Sequence, residues 1–248
     1  MTRAIFLMAD YGHDPTETAL PWSVFRAANI ETYFATETGN PPKCDSMMLE
    51  GWTGSLLGAP AAAKTAYREL EVSAEFTKPL SWTASDFSLK EYDVVFLPGG
   101  HEKSVSAIID SKSVHKLLAE YFPLTKKAST TGPPKVLAAI CHGVMVLSSA
   151  EGADGKSLLD GVTTTGLPHM MEQGIFWATR PFLGDYYKTY GAGSDSVETS
   201  VTKCGAVWKG SMSLSPFVVE DERYHYVSAR FPPDAEAIAN RVVEIVRK

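Results

Sequence analysis

The chain alternates between short apolar runs and apolar residues at helical spacing. Short apolar runs bounded by polar residues are typical of strands that are buried on both faces of a sheet. They predict strands at residues 4–9, 32–35, 92–97, 135–140 and 161–165, and a hairpin over 217–221 and 224–229. Helical spacing predicts helices at residues 16–29, 61–70, 113–121, 143–149 and 234–246. Residues 39–60 are rich in Gly and Pro, and we predict a loop there.

Strands that alternate with helices predict the fold class α/β, with a doubly wound, mostly parallel sheet sandwiched by helices. No repeat or linker divides the sequence, so residues 1–248 are expected to form a single domain. In doubly wound sheets the binding site lies at the carboxyl ends of the strands. The turns after Ala9, Leu97, Ile140 and Thr165 are therefore the places where chemistry is expected.

Composition and charge narrow the classes of function. A net charge of −6 and a pI near 5.5 provide no basic stripe for phosphates, so nucleic acid is not an expected partner. No apolar run reaches the roughly 18 residues of a membrane-spanning helix. The apolar N-terminal run ends at Asp10, which indicates a strand rather than a signal peptide. Three widely spaced cysteines, Cys44, Cys141 and Cys204, favour a reducing compartment, so we expect a cytoplasmic protein.

Cys141 lies where the predicted strand 135–140 meets the helix that begins at Gly143. This is the pattern of a nucleophile elbow, a sharp turn that holds one side chain above the sheet. The start of a helix also offers unpaired N–H groups and the positive end of the helix dipole, which favour a thiolate. A small buried hydrophobic residue is the alternative interpretation of Cys141, and the context favours the nucleophile. Cys44 and Cys204 lack this context.

The neighbours of the elbow supply candidate hydrogen-bond donors. The backbone N–H of His142 is expected to donate to an oxyanion, and its ring could carry a proton. The alternative for His142 is simple packing at the helix start. Gly99 and Gly100, which follow the strand 92–97, permit close approach of the backbone to a substrate, although such a pair also ends many ordinary strands.

Two glutamates are candidate acids. Glu17 begins the first helix, where an apolar setting would keep the carboxyl protonated beside Cys141; the alternative is an ordinary glutamate at a helix start. Glu172 follows the strand that ends near Thr165 and could orient a histidine ring. His13 and Glu17 have the spacing of metal ligands but lack a third ligand, so no metal is expected. The aromatic residues of the 167–190 segment are expected in the core or an interface: Phe176, Trp177, Tyr186, Tyr187 and Tyr190.

Three segments together resemble the ThiJ/PfpI superfamily, which has the class I glutamine amidotransferase-like, flavodoxin-like fold with a nucleophile elbow. They are residues 16–21, 96–101 and 138–143, and their order and spacing match over about residues 4–190. The resemblance implies that Cys141 is the nucleophile, that His142 is its adjacent histidine, and that Glu17 is the helix glutamate beside the sulfur.

Within that superfamily the chain is most similar to the branch of glutathione-independent glyoxalases (glyoxalase III) and heat-shock-type holdase chaperones. This similarity rests on residues 34–39 and on Thr165 and Gly166 with Glu172 following. It implies a catalytic triad of Cys141, His142 and Glu172. It also implies oxyanion and substrate binding by Gly99, Gly100 and His101, no cofactor, and a homodimer.

The chain departs from that branch at two places. Glu102 and Lys103 follow His101, where they are expected to change the rim of the site. Residues 167–190 differ from the glyoxalases, so Asp185 is an alternative to Glu172 as the acid that orients His142.

The resemblance implies a lyase that converts the small carbonyl compound methylglyoxal to lactate through a hemithioacetal on Cys141. A second reading is a hydratase, hydrolase or pathway tailoring enzyme that uses Cys141 on another substrate. The methionines Met47, Met48, Met170 and Met171 would suit such a broader apolar pocket. A third is a redox-responsive holdase or stress sensor in which Cys141 is oxidised to a sulfinic acid.

Overall fold

The computed structural model describes residues 1–56, 58–127 and 132–248. The strands are β1 Arg3–Leu7, β2 Tyr11–His13, β3 Glu31–Thr36, β4 Lys43–Cys44, β5 Leu80–Ser81, β6 Val94–Leu97, β7 Val136–Ile140, β8 Thr163–Thr164, β9 Val207–Trp208, β10 Val218–Glu220 and β11 Tyr226–Ala229. The helices are α1 Pro15–Ala27, α2 Gly51–Leu56, α3 Ala61–Glu71, α4 Ala74–Thr77, α5 Ser106–Ile109, α6 Lys112–Tyr121, α7 Gly143–Ser148, α8 His169–Leu183, α9 Val197–Lys203 and α10 Ala235–Val246.

Seven strands form the central sheet in the order β10-β11-β7-β6-β1-β3-β5. Every neighbouring pair is parallel except β10 and β11, which form the predicted hairpin. The chain runs from β1 outward to β3 and then returns to β6 on the other side of β1. The order of the strands therefore reverses at β1 and β6, and their carboxyl ends meet there with that of β7, which is where doubly wound folds bind ligands.

Both faces of the sheet are buried, which explains why its central strands are continuous apolar runs. In β1, Ile5 and Leu7 pack into one core, while Ala4 and Phe6 pack into the other. The first core includes side chains of α6 and α7, and the second includes side chains of α1 and α10. The α/β fold class predicted from the sequence is confirmed.

The structure corrects three local expectations. Residues 39–60 are not all loop, because they contain β4, a short 3₁₀ helix at Ser46–Met48 and α2. The strand predicted at 161–165 is only two residues long and pairs with β9 outside the central sheet. The long helix α8 was not predicted. Within the described part of the chain, no helix is long and apolar enough to span a membrane.

Candidate active site

The turn between β7 and α7 has the geometry of the predicted nucleophile elbow. Cys141 has a φ of 57°, in the left-handed region that residues other than glycine rarely adopt. Its N–H donates to the Ala229 carbonyl oxygen at 3.1 Å, which continues the pairing of β7 with β11. His142 caps the short helix α7 in helical conformation. The Cys141 Sγ lies 3.4 Å from Nδ1 of His142, so the two side chains are in contact.

The elbow is packed so tightly against the end of β6 that glycine is required at two positions. A Cβ atom at Gly99 would lie 2.5 Å from Oε2 of Glu17 and 2.8 Å from Cβ of Cys141. A Cβ atom at Gly143 would lie 2.3 Å from the Leu97 carbonyl oxygen. The absence of both side chains lets the elbow and the end of β6 approach each other closely.

Glu17 is fully buried in the first turn of α1. Its Oε2 accepts a hydrogen bond from the Gly99 N–H at 3.0 Å, and its buried Oε1 has no hydrogen-bond partner within the described residues. Burial, with the nearby Asp14 carboxyl as a second cause, raises the pKa of Glu17 well above its usual range. Burial therefore favours the protonated form of the Glu17 carboxyl.

Asp14 caps the helix that carries Glu17. Its Oδ1 accepts from the backbone N–H groups of Thr16 at 2.7 Å and Glu17 at 3.0 Å, and its own N–H donates to the Gly99 carbonyl oxygen at 2.9 Å. Burial raises the pKa of Asp14 to about 6. We did not predict a role for Asp14, although an aspartate followed by proline at a helix start is a recognisable capping signal.

The protonation of Cys141 differs from the sequence expectation. We expected the helix start to favour the thiolate, but burial raises the pKa of Cys141 well above its usual range, and the neighbouring Glu17 acts in the same direction. The helix α7 has only six residues, and the Cys141 thiol is buried. The increase in the pKa of Cys141 through desolvation therefore outweighs the decrease that the helix dipole would cause. Burial therefore favours the thiol form of Cys141 over the thiolate.

The structure does not form the predicted hydrogen bond between Glu172 and His142. Glu172 is buried, but its Oε1 accepts from Nζ of Lys188 at 2.7 Å and its Oε2 accepts from the Val197 N–H at 2.9 Å. Lys188 is itself buried. Burial, followed by the charge of Lys188, lowers the pKa of His142 to about 4. Cys141 and His142 are thus in contact, with a neutral imidazole. Lys188, which pairs with the cavity residue Glu172, is a neighbour of the site that the sequence analysis missed.

Asp185 does not take the place of Glu172. Its carboxylate lies 3.5 Å from Nε of Arg180 and accepts from the Ala192 N–H at 3.2 Å. Asp185 is absent from the residues that line the active-site cavity. Neither candidate acid is therefore hydrogen-bonded to His142 in the described chain.

His101 forms one side of the site. Its ring stacks on Tyr187 with the centroids 4.4 Å apart, and its Nε2 lies 3.8 Å from Oδ2 of Asp45. Tyr186 donates a short hydrogen bond to the same Asp45 oxygen. Burial, followed by the neighbouring His142, lowers the pKa of His101 to about 3, so His101 is neutral near pH 7.

A cavity of about 240 Å³ joins these groups. Its polar lining is Asp14, Glu17, Gly100, His101, Cys141, His142 and Glu172, and its apolar lining is Met48, Leu167, Met171, Ile175, Tyr187, Phe231 and Pro232. The predicted site residues Cys141, His142, Glu17 and Glu172 therefore surround one cavity. Gly100 and His101 line it as well, whereas the N–H of Gly99 is already bonded to Glu17.

Several other candidates lie away from the cavity. Glu102 caps a short 3₁₀ helix by accepting from the Ser104 N–H at 2.7 Å, and neither it nor Lys103 lines the cavity. His13 has its Nε2 3.1 Å from the Tyr67 hydroxyl. Among the described residues no three His, Cys, Asp or Glu side chains are grouped to hold a metal ion.

The other two cysteines do not line the cavity. Cys44 lies in β4, outside the cavity, and its pKa is raised to about 12 by burial. Cys204 is half-buried after α9, where its thiol donates to the Val201 carbonyl oxygen. Cys141 is the cysteine that faces the cavity.

The chain is similar to several proteins of known sequence or structure. An uncharacterized protein of Schizosaccharomyces pombe is 29% identical over 241 residues, which cover 97% of this chain and 82% of that protein. A protein of the same yeast named "probable glutathione-independent glyoxalase" is 28% identical over 90 residues, 36% of each chain.

Solved structures share the fold. Glyoxalase III from Candida albicans superposes with a TM-score of 0.70 at 19% identity, covering 99% of this chain and 97% of that chain. Drosophila melanogaster DJ-1beta superposes with a TM-score of 0.55 at 20% identity, covering 100% and 91%. A family model described as ThiJ/PfpI family-like matches residues 8–225. With the elbow, the buried glutamate and the matched model together, the chain belongs to the ThiJ/PfpI-like family.

Proposed function

We propose that this protein is a cysteine-dependent, glutathione-independent glyoxalase that converts methylglyoxal to lactate. The observation that carries the proposal is the placement of three groups at one cavity: the Cys141 thiol, the neutral His142 in contact with it, and the Glu17 carboxyl, whose burial favours the protonated form. A thiol with one proton donor and one proton acceptor matches a reaction that moves a proton between neighbouring carbons. The two glyoxalases among the similar proteins support the same activity.

The first step is addition of the Cys141 sulfur to the aldehyde carbon. A new C–S bond forms, the carbonyl π bond breaks, and the thiol proton passes through His142 to the new alkoxide oxygen. The product is a neutral hemithioacetal. Because His142 has a pKa of about 4, it is neutral when the step begins and holds the thiol proton only transiently. The unpaired N–H of Gly100, which has no acceptor within the described residues, can donate to the oxygen.

The second step is an internal transfer of hydrogen. His142 removes the proton from the carbon bonded to sulfur while Glu17 gives its proton to the neighbouring ketone oxygen, which forms an enediol. The imidazolium then protonates the former ketone carbon, and Glu17 recovers a proton from the hydroxyl on the sulfur-bearing carbon. The former aldehyde carbon is oxidised and the ketone carbon is reduced, so no external oxidant or reductant is required. The product is a lactoyl thioester on Cys141.

The third step is hydrolysis. Water adds to the thioester carbonyl, the C–S bond breaks, and lactic acid leaves as the Cys141 thiol is restored. The net reaction is methylglyoxal plus water to lactic acid. Each step uses groups that line the cavity, and none uses glutathione, because Cys141 itself supplies the sulfur.

The test is lactate formation from methylglyoxal in the absence of glutathione. We expect turnover by the wild type, background rates in Cys141→Ala, and a loss of about 10²-fold or more in Glu17→Gln, since removal of a proton carrier costs about that much. Cys204→Ala is the matched control and should retain the wild-type rate. Absence of lactate with the wild type, or a fully active Cys141→Ala variant, would overturn the proposal.

A further inference from the structure

The lining of the cavity includes two chemically different groups of side chains. Cys141, His142 and Glu17 form the first group. The second group, here called the apolar compartment, consists of apolar side chains from different segments: Met48, Leu167, Met171, Ile175, Phe231 and Pro232. A substrate bound with its aldehyde at Cys141 would therefore contact apolar side chains with the rest of its structure.

Helix α8 supplies a continuous part of that compartment. Met171 and Ile175 are four residues apart, so they project from one face of the helix toward the cavity. Met170, one residue earlier, points outward and is 70% exposed. The inward position of Met171 and the outward position of Met170 make a matched pair on the same turn.

The polar groups that line the cavity disfavour an anionic substrate. In the described chain no lysine or arginine lines the cavity, while the carboxyl groups of Asp14, Glu17 and Glu172 do. The Glu172 carboxylate is already paired with Lys188, whose Nζ is 2.7 Å away. A substrate phosphate or carboxylate would therefore be desolvated without a cationic partner, which is unfavourable.

The size of the cavity exceeds what a three-carbon ketoaldehyde fills. A water molecule takes about 30 Å³ of liquid volume, and methylglyoxal has the bulk of only a few waters, whereas the cavity measures about 240 Å³. Met48 and Pro232 also line a neighbouring cleft of about 360 Å³. If the substrate does not fill the apolar compartment, the contacts available there cannot contribute binding energy to the transition state.

From these walls we infer that the preferred substrate is an uncharged α-ketoaldehyde whose second substituent is apolar and of branched-alkyl or phenyl size, with Met171 and Ile175 as specificity-determining residues. This inference rests on the proposed glyoxalase reaction and names its substrate class. The ketoaldehyde group reacts at Cys141, and the apolar substituent lies against the inner face of α8.

The experiment compares kcat/KM for phenylglyoxal, methylglyoxal and the anionic hydroxypyruvaldehyde phosphate. The variants are Met171→Gln, which keeps the volume and adds an amide, and Met170→Gln as the matched outer control. We expect the wild type to favour phenylglyoxal over methylglyoxal by about 10-fold or more, the range that apolar pockets supply. Met171→Gln should lose about 10-fold toward phenylglyoxal and little toward methylglyoxal, while Met170→Gln leaves both unchanged. The phosphorylated compound should be the poorest substrate.

A binding measurement separates this inference from the reaction on which it rests. Acetophenone and acetone are compared as protectants of Cys141 against iodoacetamide in the wild type. Stronger protection by acetophenone, lost in Met171→Gln but not in Met170→Gln, would support the apolar compartment even without any lactate. Equal protection, or turnover of methylglyoxal with no preference for phenylglyoxal, would overturn the substrate class while leaving the glyoxalase reaction in place.

Discussion

At the scale of single residues, the geometry of the elbow depends on the backbone conformation of Cys141 and on the glycines that pack beside it. Cys141 occupies a left-handed backbone conformation, with φ of 57°, that costs a residue other than glycine about 1 kcal/mol or more. This conformation turns the sulfur toward the cavity, and it is held because Gly99 and Gly143 allow the neighbouring backbone to approach closely. The sequence indicated that Gly99 and Gly100 let the backbone approach a substrate; it did not indicate that Gly99 makes room for Glu17 and Cys141.

Gly99→Ala is expected to impair both activity and folding. Its Cβ would meet Glu17, Cys141 and the His142 backbone N at 2.5–2.9 Å, so the elbow would have to shift. Overpacking of this kind costs about 1–3 kcal/mol, and misplacement of reacting groups costs about 10²-fold in rate. The measurements are the free energy of unfolding in urea and the lactate rate.

Gly174→Ala is the control for that change. Gly174 lies in α8, and a Cβ there meets nothing within 4 Å. Removing a helix-interior glycine should raise stability by about 0.5–1 kcal/mol and leave the rate unchanged. If Gly99→Ala behaved like Gly174→Ala, the close approach would not matter for the site.

At the scale of elements, α8 contributes several residues to the cavity lining, and the segment after α8 determines the hydrogen-bond partner of one of them. One face of α8 provides Met171 and Ile175, and the same helix carries Glu172. Lys188 follows the end of α8 in sequence and forms an ion pair with Glu172. Because the Glu172 oxygens are bonded to Lys188 and to the Val197 N–H, Glu172 does not form the predicted hydrogen bond to His142. Residues 167–190 were the segment for which the sequence resemblance was weakest, and the ion pair within it joins residues 16 positions apart.

Removing the Lys188 charge should change the titration of His142. Lys188→Met alone leaves a buried, unpaired Glu172, which costs about 3–5 kcal/mol, so the informative variant is Lys188→Met with Glu172→Gln. We expect the pKa of His142 to rise above about 4 in this variant but to stay below 6.5, because burial persists. The measurement is an NMR titration of the His142 imidazole.

An exposed ion pair provides the control for this titration. Lys203 forms an ion pair with Asp195 at 2.6 Å, on a side chain that is 65% exposed. Lys203→Met should leave the His142 titration where it is in the wild type. An unchanged His142 titration in the double variant would contradict the role given to Lys188.

At the scale of the whole molecule, the fold shifts the pKa values of several buried ionisable groups in the direction that favours their neutral forms. Burial lowers the pKa of His13 to about 3, of His101 to about 3 and of His142 to about 4. It raises the pKa of Asp14 to about 6 and that of Glu17 well above its usual range. These groups lie in segments that are distant in sequence, so their desolvation is a property of the assembled fold.

Acidification should therefore destabilise the protein below pH 6.5. There the unfolded chain protonates His13, His101 and His142 while the folded protein keeps them neutral, so the unfolded state binds more protons and stability falls with pH. The contribution of these histidines to the free energy of unfolding is fully present above pH 6.5 and is lost as the pH falls toward 3–4. Asp14 and Glu17 have the opposite effect on stability. Their pKa values are raised in the folded protein, so the folded state binds more protons at these groups and acidification stabilises it.

His13→Gln should flatten this pH dependence, because Gln can keep a hydrogen bond to Tyr67 and cannot be protonated. One histidine contributes about 1.4 kcal/mol per pH unit between its two pKa values. The free energy of unfolding of the variant should thus decline less than that of the wild type, by about that slope, between pH 6 and 4. Parallel curves for the two proteins would show that His13 does not keep its neutral form in the fold.

The sequence by itself determined the local features of this protein. Apolar runs and helical spacing predicted the central strands and most flanking helices. The strand-to-helix turn identified Cys141 and His142, and the start of the first helix, together with the family resemblance, identified Glu17. These features depend on neighbours along the chain, because periodicity and turn chemistry act over a few residues. The tertiary structure decided that Lys188 takes Glu172, that Asp14 faces the cavity and that α8 forms its apolar wall. Charge pairing, desolvation and packing act between segments that are distant in sequence, so only the assembled fold determines them.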